Sequence, residues 1–354
     1  MVEWRAVSLT LAIVALCFIG IPIKIDNLKS LETRLLFDSY LARFNKSYDL
    51  YSKDYEERYK NFKEAITQFQ DWNKFRNSSQ LAYYGFTKFA DLSQNEFKSR
   101  YLRHRRSHLE NHRHQHPLSE KNGIDRGRPL LKLTGQARPK IVDWRRQGIV
   151  SQIKNQGSCG ACWAFSTISN AESMLALKTG QLRVLSVQEA IDCAGNGNLG
   201  CNGGDTCNLL EWLVENQIQI QTEQQYPLVL HNDVCRLNKS MDHGVAIRDD
   251  FLCRDFSDQE EQMLDVIANH GPITVAVNAI SWQYYLGGVI RFHCDGASLN
   301  HAVVIVGYDL TADIPHYLVR NSWGKDFGEN GYLKIAIGAN VCGISSDVVI
   351  FDVI

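Results

Sequence analysis

The sequence predicts an α+β chain, with helices in its first part and strands gathered toward its end. Three observations carry this expectation. Tyr55, Tyr59, Phe62, Ile66, Phe69 and Asn73 recur at steps of four and three, one face of a helix that is apolar except at its end. A second helix opens at about Cys162 and closes near Thr179-Gly180, where the glycine serves as C-cap, and another spans Thr206 to Glu215. Later, Ile273–Val277, Ala302–Tyr308, Tyr317–Arg320 and Tyr332–Ile337 alternate or run apolar, as strands do. Two packed lobes are expected from this order.

A chain of 354 residues suggests two or more folded units. The apolar run Ala6–Ile23 follows Arg5 and reads as a secretory signal over 1–23, with a weak cleavage site at Ala15-Leu16-Cys17; an uncleaved anchor is the alternative. No second apolar run of spanning length follows. Residues 24–102 form a mainly helical domain. Leu31–Phe44 has a weaker helical pattern, Tyr84–Asp91 reads as extended, and Ser93 with Glu96 forms a capping box that starts a short helix through about Leu102. Residues 103–138 lose all apolar periodicity and hold His104, His108, His112, His114 and His116 among many Arg, Gly and Pro. They read as an exposed linker and a proteolysis region. Residues 139–354 are globular again.

Charge divides along the same line. Residues 1–138 hold 24 Lys and Arg against 15 Asp and Glu, whereas residues 139–354 hold 14 against 24. The basic residues of the first part are dispersed among apolar helical positions, so attraction between the two parts explains the split better than nucleic-acid binding does.

Of ten cysteines, Cys17 lies in the signal and Cys162 in the motif below. The other eight, Cys159, Cys193, Cys201, Cys207, Cys235, Cys253, Cys294 and Cys342, read as a disulfide framework of a secreted chain. A zinc site is the competing reading, but paired C-x-x-C ligands are lacking, and neither a metal nor a cofactor is expected.

The most informative stretch is Asn155-Gln156-Gly157-Ser158-Cys159-Gly160-Ala161-Cys162-Trp163-Ala164-Phe165. It sets Cys162 where a tight turn enters a helix, and the positive helix N-terminus stabilises the nucleophilic thiolate. Such a nucleophile needs a base and a group to orient that base. Asn300-His301-Ala302 and Asn321-Ser322-Trp323-Gly324 offer both. Cys162 is expected to attack an acyl carbon. His301 would pair with the thiolate and then protonate the leaving amine, and Asn321 would accept from the other ring nitrogen. Gln156, six residues before Cys162, would join the Cys162 backbone N–H in holding the oxyanion, and Trp323 would shield the His301–Asn321 bond from water.

In these residues, and over nearly its whole length, the chain resembles a papain-family cysteine protease precursor. The resemblance implies a papain-like two-lobe fold, a helical left lobe and a β-barrel-like right lobe, preceded by an inhibitory prosegment that runs through the cleft. Cys162, His301, Asn321 and Gln156 match the family's catalytic residues, and Gly200-Cys201-Asn202-Gly203-Gly204 matches its substrate-binding segment. Asp205 and Asp347 fall near the pocket for the second residue before the scissile bond, which favours Arg or Lys there; Trp323 also counts among the substrate-side residues. Three disulfides are implied, Cys159–Cys201, Cys193–Cys235 and Cys294–Cys342; Cys207 and Cys253 are left over, and their even count suggests a fourth. The prosegment motif runs through Arg58, Tyr59, Phe62 and Asn73, with Phe69 where Ile is usual and Ala65 where Asn is usual. The motif after it keeps Gly85, Phe89 and Asp91 but has Thr87 for Asn.

The reading is a lysosomal or secreted cysteine endopeptidase made as a zymogen, monomeric, acting on proteins and peptides and open to cystatin-type inhibitors. The segment after Gly204 carries no long His-bearing insertion, which favours endopeptidase action. Acid is expected to loosen the basic prosegment and expose the linker for cleavage near Arg138-Pro139. Asn45, Asn77 and Asn238 open glycosylation triplets. The alternatives are a catalytically silent binding protein on the same fold and a prosegment acting separately as a protease inhibitor.

Overall fold

The structure, a computed structural model, describes residues 31–50, 52–102, 138–237 and 244–354. The expected signal segment, the linker histidines and Asn238 lie outside these residues. The chain divides into two compact units, one of residues up to Gln68 with Lys88–Leu92 and one of Phe69–Thr87 with Ser93–Ile354.

In the first unit, helix α1 (residues 31–43) lies against helix α2 (Lys53–Lys74). The aromatic ladder read from the sequence makes the contact. Phe37 of α1 meets Tyr55, Tyr59 and Phe62 of α2 at centroid distances of 5.5, 5.5 and 5.0 Å. Such pairs add to the area they bury. The segment expected to be extended over Tyr84–Asp91 is so only in part. Tyr83–Tyr84 forms a short strand, β1, and residues 88–91 fold back as a turn. The cause is Asp91, which is fully buried. Its carboxylate accepts from Tyr40 Oη (2.9 Å), Lys46 Nζ (2.5 Å) and Tyr48 Oη (2.6 Å), and its carbonyl accepts from Arg58 and Asn61. A buried carboxylate needs such donors, and the chain curls to reach them.

The second unit adds α3 (Gln94–Tyr101), β2 (Ile141–Asp143), α4 (Cys162–Thr179), α5 (Val187–Cys193), α6 (Thr206–Glu215), β3 (Leu252–Arg254) and α7 (Glu260–Asn269). There follow β4 (Ile273–Val277), β5 (Tyr285–Gly287), β6 (Val289–Ile290), β7 (His301–Asp309), β8 (His316–Arg320), β9 (Tyr332–Ala336) and β10 (Val348–Ile350). Ser93 caps α3 reciprocally: its Oγ accepts from Glu96 N, and the Glu96 carboxylate accepts from Ser93 N at 3.0 Å. The main sheet runs β3-β10-β4-β7-β8-β9-β6, with β2 also on β7. β1 pairs separately with β5.

Helix α4 is buried from Cys162 through Ala176, which is why its apolar residues show no single face. Gly180 ends it in the left-handed region at φ 73°, its N–H bonded to Ala176 O. Residues of α4, α5 and α6 share one core with Val349, Phe351 and Val353 of the C-terminal segment. Four disulfides join Cys159–Cys201, Cys193–Cys235, Cys207–Cys253 and Cys294–Cys342. Helix α7 interrupts what the sequence suggested was a strand-rich half. Met263, Leu264, Val266 and Ile267 are its buried apolar residues.

Candidate active site

Cys162 is the first residue of α4, whose N-cap, Ala161, supplies no side-chain bond. The amide groups of the first turn therefore meet the cysteine without a competing side-chain cap. Cys162 is buried and is not in a disulfide. The turn before it is fixed on two sides. Cys159 is bonded to Cys201 and Gly160 N donates to Cys201 O at 2.9 Å. Trp163 Nε1 donates to Gly200 O, and Gly204 lies so close on the Trp163 ring that a Cβ there would sit 2.6 Å from it. The glycine-rich segment and the cysteine turn are thus one rigid piece.

His301 opens β7, and α4 packs along that strand. Phe165 and Ser166 in the first turns of α4 line the same small cavity as Ala302 and Val303, so the two elements begin side by side. His301 is fully buried, and its Nε2 lies 2.8 Å from Asn321 Oδ1. The acceptor on the amide assigns the proton to Nε2, leaving Nδ1 as the basic nitrogen of the neutral ring. Trp323 stacks on the imidazole at 4.7 Å and 30°, and Trp282 meets it edge-on at 5.9 Å. Phe327 and Phe97 close on Trp323 edge-on at 4.8 and 5.4 Å. His301 and Asn321 are both buried, with Trp323 and Trp282 against the imidazole and Phe327 and Phe97 behind Trp323.

Gln156 joins these parts. Its backbone N donates to Ser322 O (2.8 Å), and Ser322 Oγ donates to its Oε1 (2.6 Å). Its Nε2 faces the other way, toward Cys159 O at 3.0 Å and Tyr101 O at 3.4 Å. Tyr101 ends α3, so a backbone carbonyl of the segment before the linker lies where Gln156 offers its amide. Ser322, Trp282, Phe97 and Tyr101 were not singled out as site residues from sequence. Ser322 lies inside the Asn321-Ser322-Trp323-Gly324 motif, whereas Trp282, Phe97 and Tyr101 carry no signal of their own.

The other expected residues fall as follows. Asp205 is the N-cap of α6, its Oδ1 accepting from Asn208 N at 3.0 Å, and is almost wholly buried. Asp347 is half-buried just before β10, its carbonyl accepting from Ala276 N. Asn45 and Asn77 are exposed. Among the described residues no helix is long and apolar enough to cross a membrane.

The model of the papain family cysteine protease matches residues 138–351, and that of the cathepsin propeptide inhibitor domain (I29) matches residues 37–97. The chain belongs to the papain family of cysteine proteases and carries the family's propeptide ahead of the protease domain. Human cathepsin O is 39% identical over 288 residues, which cover 81% of this chain and 85% of that one. Cysteine proteinase B of Leishmania mexicana is 34% identical, over 88% of this chain and 67% of its own. Among solved structures, digestive procathepsin L 3 of Tenebrio molitor larval midgut aligns with a TM-score of 0.74 at 28% identity, covering 90% of this chain and 99% of that one. The recombinant stem bromelain precursor aligns with a TM-score of 0.73 at 28% identity, covering 91% and 99%. The α+β fold described above is the papain-like two-lobe fold.

Proposed function

We propose that the protein is the zymogen of a cysteine endopeptidase in which Cys162 is the nucleophile, His301 the base and acid, Asn321 the orienting group and Gln156 an oxyanion donor. One observation carries this reading: the buried His301–Asn321 bond, at 2.8 Å, lies beneath Trp323 beside the first turns of the helix that Cys162 opens. The thiolate adds to the substrate's carbonyl carbon. The resulting oxyanion is met by the Cys162 N–H and Gln156 Nε2. Protonated at Nδ1, His301 gives its proton to the amine as the C–N bond breaks, leaving an acyl-enzyme. Water, deprotonated by His301, then releases the carboxylate product.

In the zymogen Tyr101 O takes up the Gln156 amide and Phe97 covers Trp323, which supports the propeptide as an intramolecular inhibitor. Gly203 and Gly204 form the wall that pairs with substrate backbone. For the second residue before the scissile bond, Asp347 is the better source of basic preference, because the Asp205 carboxylate already caps α6. Four disulfides favour an oxidising route, to the lysosome or the cell exterior, and exposed Asn45 and Asn77 are available for glycosylation on it. A monomer open to cystatin-type inhibitors completes the proposal.

The test is an epoxide or vinyl-sulfone thiol probe applied after acid processing, with a peptide-library cleavage profile. Labelling at Cys162 that is lost in Cys162→Ala supports the reading; absence of both labelling and cleavage returns the chain to a silent binding protein.

A further inference from the structure

Leu230 holds a left-handed backbone, φ 64°, which a branched side chain rarely adopts. The fold fixes it there. Gln188, fully buried on α5, accepts through one oxygen from Val229 N at 2.9 Å and Leu230 N at 3.0 Å. Its Nε2 donates to His231 O at 2.8 Å, so one amide grips three consecutive residues. The loop is fastened beyond them as well. Asn232 Oδ1 accepts from Cys201 N at 2.7 Å, Asp192 Oδ1 accepts from Asp233 N at 2.9 Å, and Cys235 is bonded to Cys193. A glycine would take this backbone freely, and strain that the surroundings over-determine gathers at functional positions. The side chain has two neighbours. Half-buried, it packs in part on the core shared by α4, α5 and α6. Its Cδ1 also lies 3.8 Å from where a Cβ on Gly157 would stand, in the turn between Gln156 and Cys162. On the other side a Cβ on Gly200 would collide with Asn232. The loop therefore overhangs the seam that Cys159–Cys201 closes between the cysteine turn and the glycine-rich segment.

We propose that Leu230 selects the side chain of the residue that supplies the attacked carbonyl, favouring an aliphatic one such as Leu or Met. This rests on the endopeptidase reading above. In that reading the oxyanion lies between the Cys162 N–H and Gln156, and the substrate backbone runs along Gly203 and Gly204. The α-carbon next to the attacked carbon then lies over the seam, and its side chain leaves toward the loop that overhangs it. Gly157, Gly160 and Gly200 give that side chain nothing to pack on. The apolar surface it meets is Leu230. Burying aliphatic area raises kcat/KM only where the contact is kept in the transition state, and the grip of Gln188 on the loop keeps it.

The experiment compares two fluorogenic peptides that differ only in the residue before the scissile bond, Leu or Ala, on the processed enzyme. Wild type is expected to favour Leu by at least about tenfold in kcat/KM, as a hydrophobic pocket does for added methylenes. Leu230→Ala and Leu230→Gly are each expected to cut that ratio to about twofold or less, whereas Leu230→Met keeps it. Because the ratio is taken within one sample, it does not depend on how much of a variant folds. A ratio near one in wild type, or one unchanged in Leu230→Ala, overturns the proposal. A fall confined to Leu230→Gly overturns it too, since that variant alone also frees the backbone. The same peptides are titrated by fluorescence onto Cys162→Ala freed of its propeptide by an added protease, where no turnover is needed. Tighter binding of the Leu peptide there, lost on adding Leu230→Ala, upholds the subsite when wild type cleaves neither peptide; the failure then belongs to the catalytic reading. Equal binding of the two peptides, with no cleavage by wild type, overturns it.

Discussion

Ser322 Oγ donates to Gln156 Oε1 at 2.6 Å, and this bond decides which end of the Gln156 amide faces the turn before Cys162. With its oxygen engaged, the amide can present only its N–H₂ group to the cleft. The two residues are joined a second time through Gln156 N and Ser322 O at 2.8 Å. Gln156→Ala is therefore expected to lower kcat/KM of the processed enzyme by about 100- to 1,000-fold, the usual cost of one oxyanion donor. Ser322→Ala is expected to cost less than about tenfold, because the backbone bond still places the glutamine. Steady-state kinetics with a fluorogenic peptide separate the two, and equal losses would show that Ser322 acts on something besides Gln156.

Asn321 and Trp323 hold His301 by different means, one by a hydrogen bond and one by its stacked face. Removing the first leaves the ring in place but free to choose the wrong tautomer. Asn321→Ala should lower kcat by about 100-fold, within the range for a disturbed acid–base group. Thiol-probe labelling of Cys162 should be slowed as well, since the imidazolium that supports the thiolate is no longer oriented. Unchanged kcat would remove Asn321 from the proposed machinery.

Phe97 is fully buried and edge-on to Trp323, so the zymogen's cover is anchored on the same ring that stacks on the candidate base. A buried Phe→Ala change costs about 3–5 kcal/mol, and part of that is lost from the hold on the cleft. Phe97→Ala precursor should react with a Cys162 probe at neutral pH at least about tenfold faster than wild type, given that 1.4 kcal/mol is a factor of ten. Time-resolved intact mass reads this directly, and an unchanged rate would mean the cover is held elsewhere.

What the sequence disclosed and what it hid follow from range. Helix α4 ends where Gly180 had to cap it, and α6 runs from Thr206 to Glu215 as its pattern implied, because both are set by local spacing. The pairing of His301 with Asn321 is legible because each stands in a short motif that offers a base and a group to orient it. Helices α5 and α7 were passed over: one is seven residues long, and the other sits among strands with three polar residues at its start. Strand β2 has only three residues and exists because β7, far along the chain, offers it an edge, with Ile141 opposite Asp309 and Asp143 opposite Gly307, which no local pattern reveals. The same holds for Ser322 on Gln156 and for Phe97 on Trp323. The turn at residues 88–91 reads as extended from sequence because its cause, the donors around Asp91, comes from α1, α2 and the loop between them. Asp205 looked like pocket chemistry and is in part a helix cap, a role that Asp before a helical run always offers.

His270 and His316 set a pH limit on the fold. Burial holds both below the usual imidazole value, His270 against the nearby Asp352 carboxylate and the Phe351 carbonyl, which pull the other way, and His316 beside Lys334. Above about pH 6.5 both rings are neutral whether the chain is folded or not, and they cost nothing. As pH falls below 6.5 the unfolded chain takes up protons that the folded one refuses, so stability declines until the lowered folded values are reached. The Tm of the processed enzyme should drop between pH 7 and pH 5, and His270→Gln should flatten that drop. A His270→Gln profile parallel to wild type would assign the drop to other groups.

Asp91 is the point on which the first unit turns. Its buried carboxylate collects two tyrosine hydroxyls and the Lys46 ammonium, and its carbonyl collects Arg58 and Asn61. Asp91→Ala removes the acceptor and leaves Lys46, 18% exposed, and two tyrosine hydroxyls without it. Breaking a buried pair in this way costs about 3–5 kcal/mol. That is a large share of what a unit this small can hold in reserve. Asp91→Asn keeps one oxygen for the hydroxyls and should cost less, since only the charged partner loses its counter-ion. In native-state proteolysis of the precursor, the Asp91→Ala chain should be cut within residues 31–68 well before wild type, with Asp91→Asn between them. Equal rates for all three would mean that the aromatic contacts of Phe37 hold α1 on α2 without the carboxylate, and that Asp91 shapes the turn at 88–91 and nothing more.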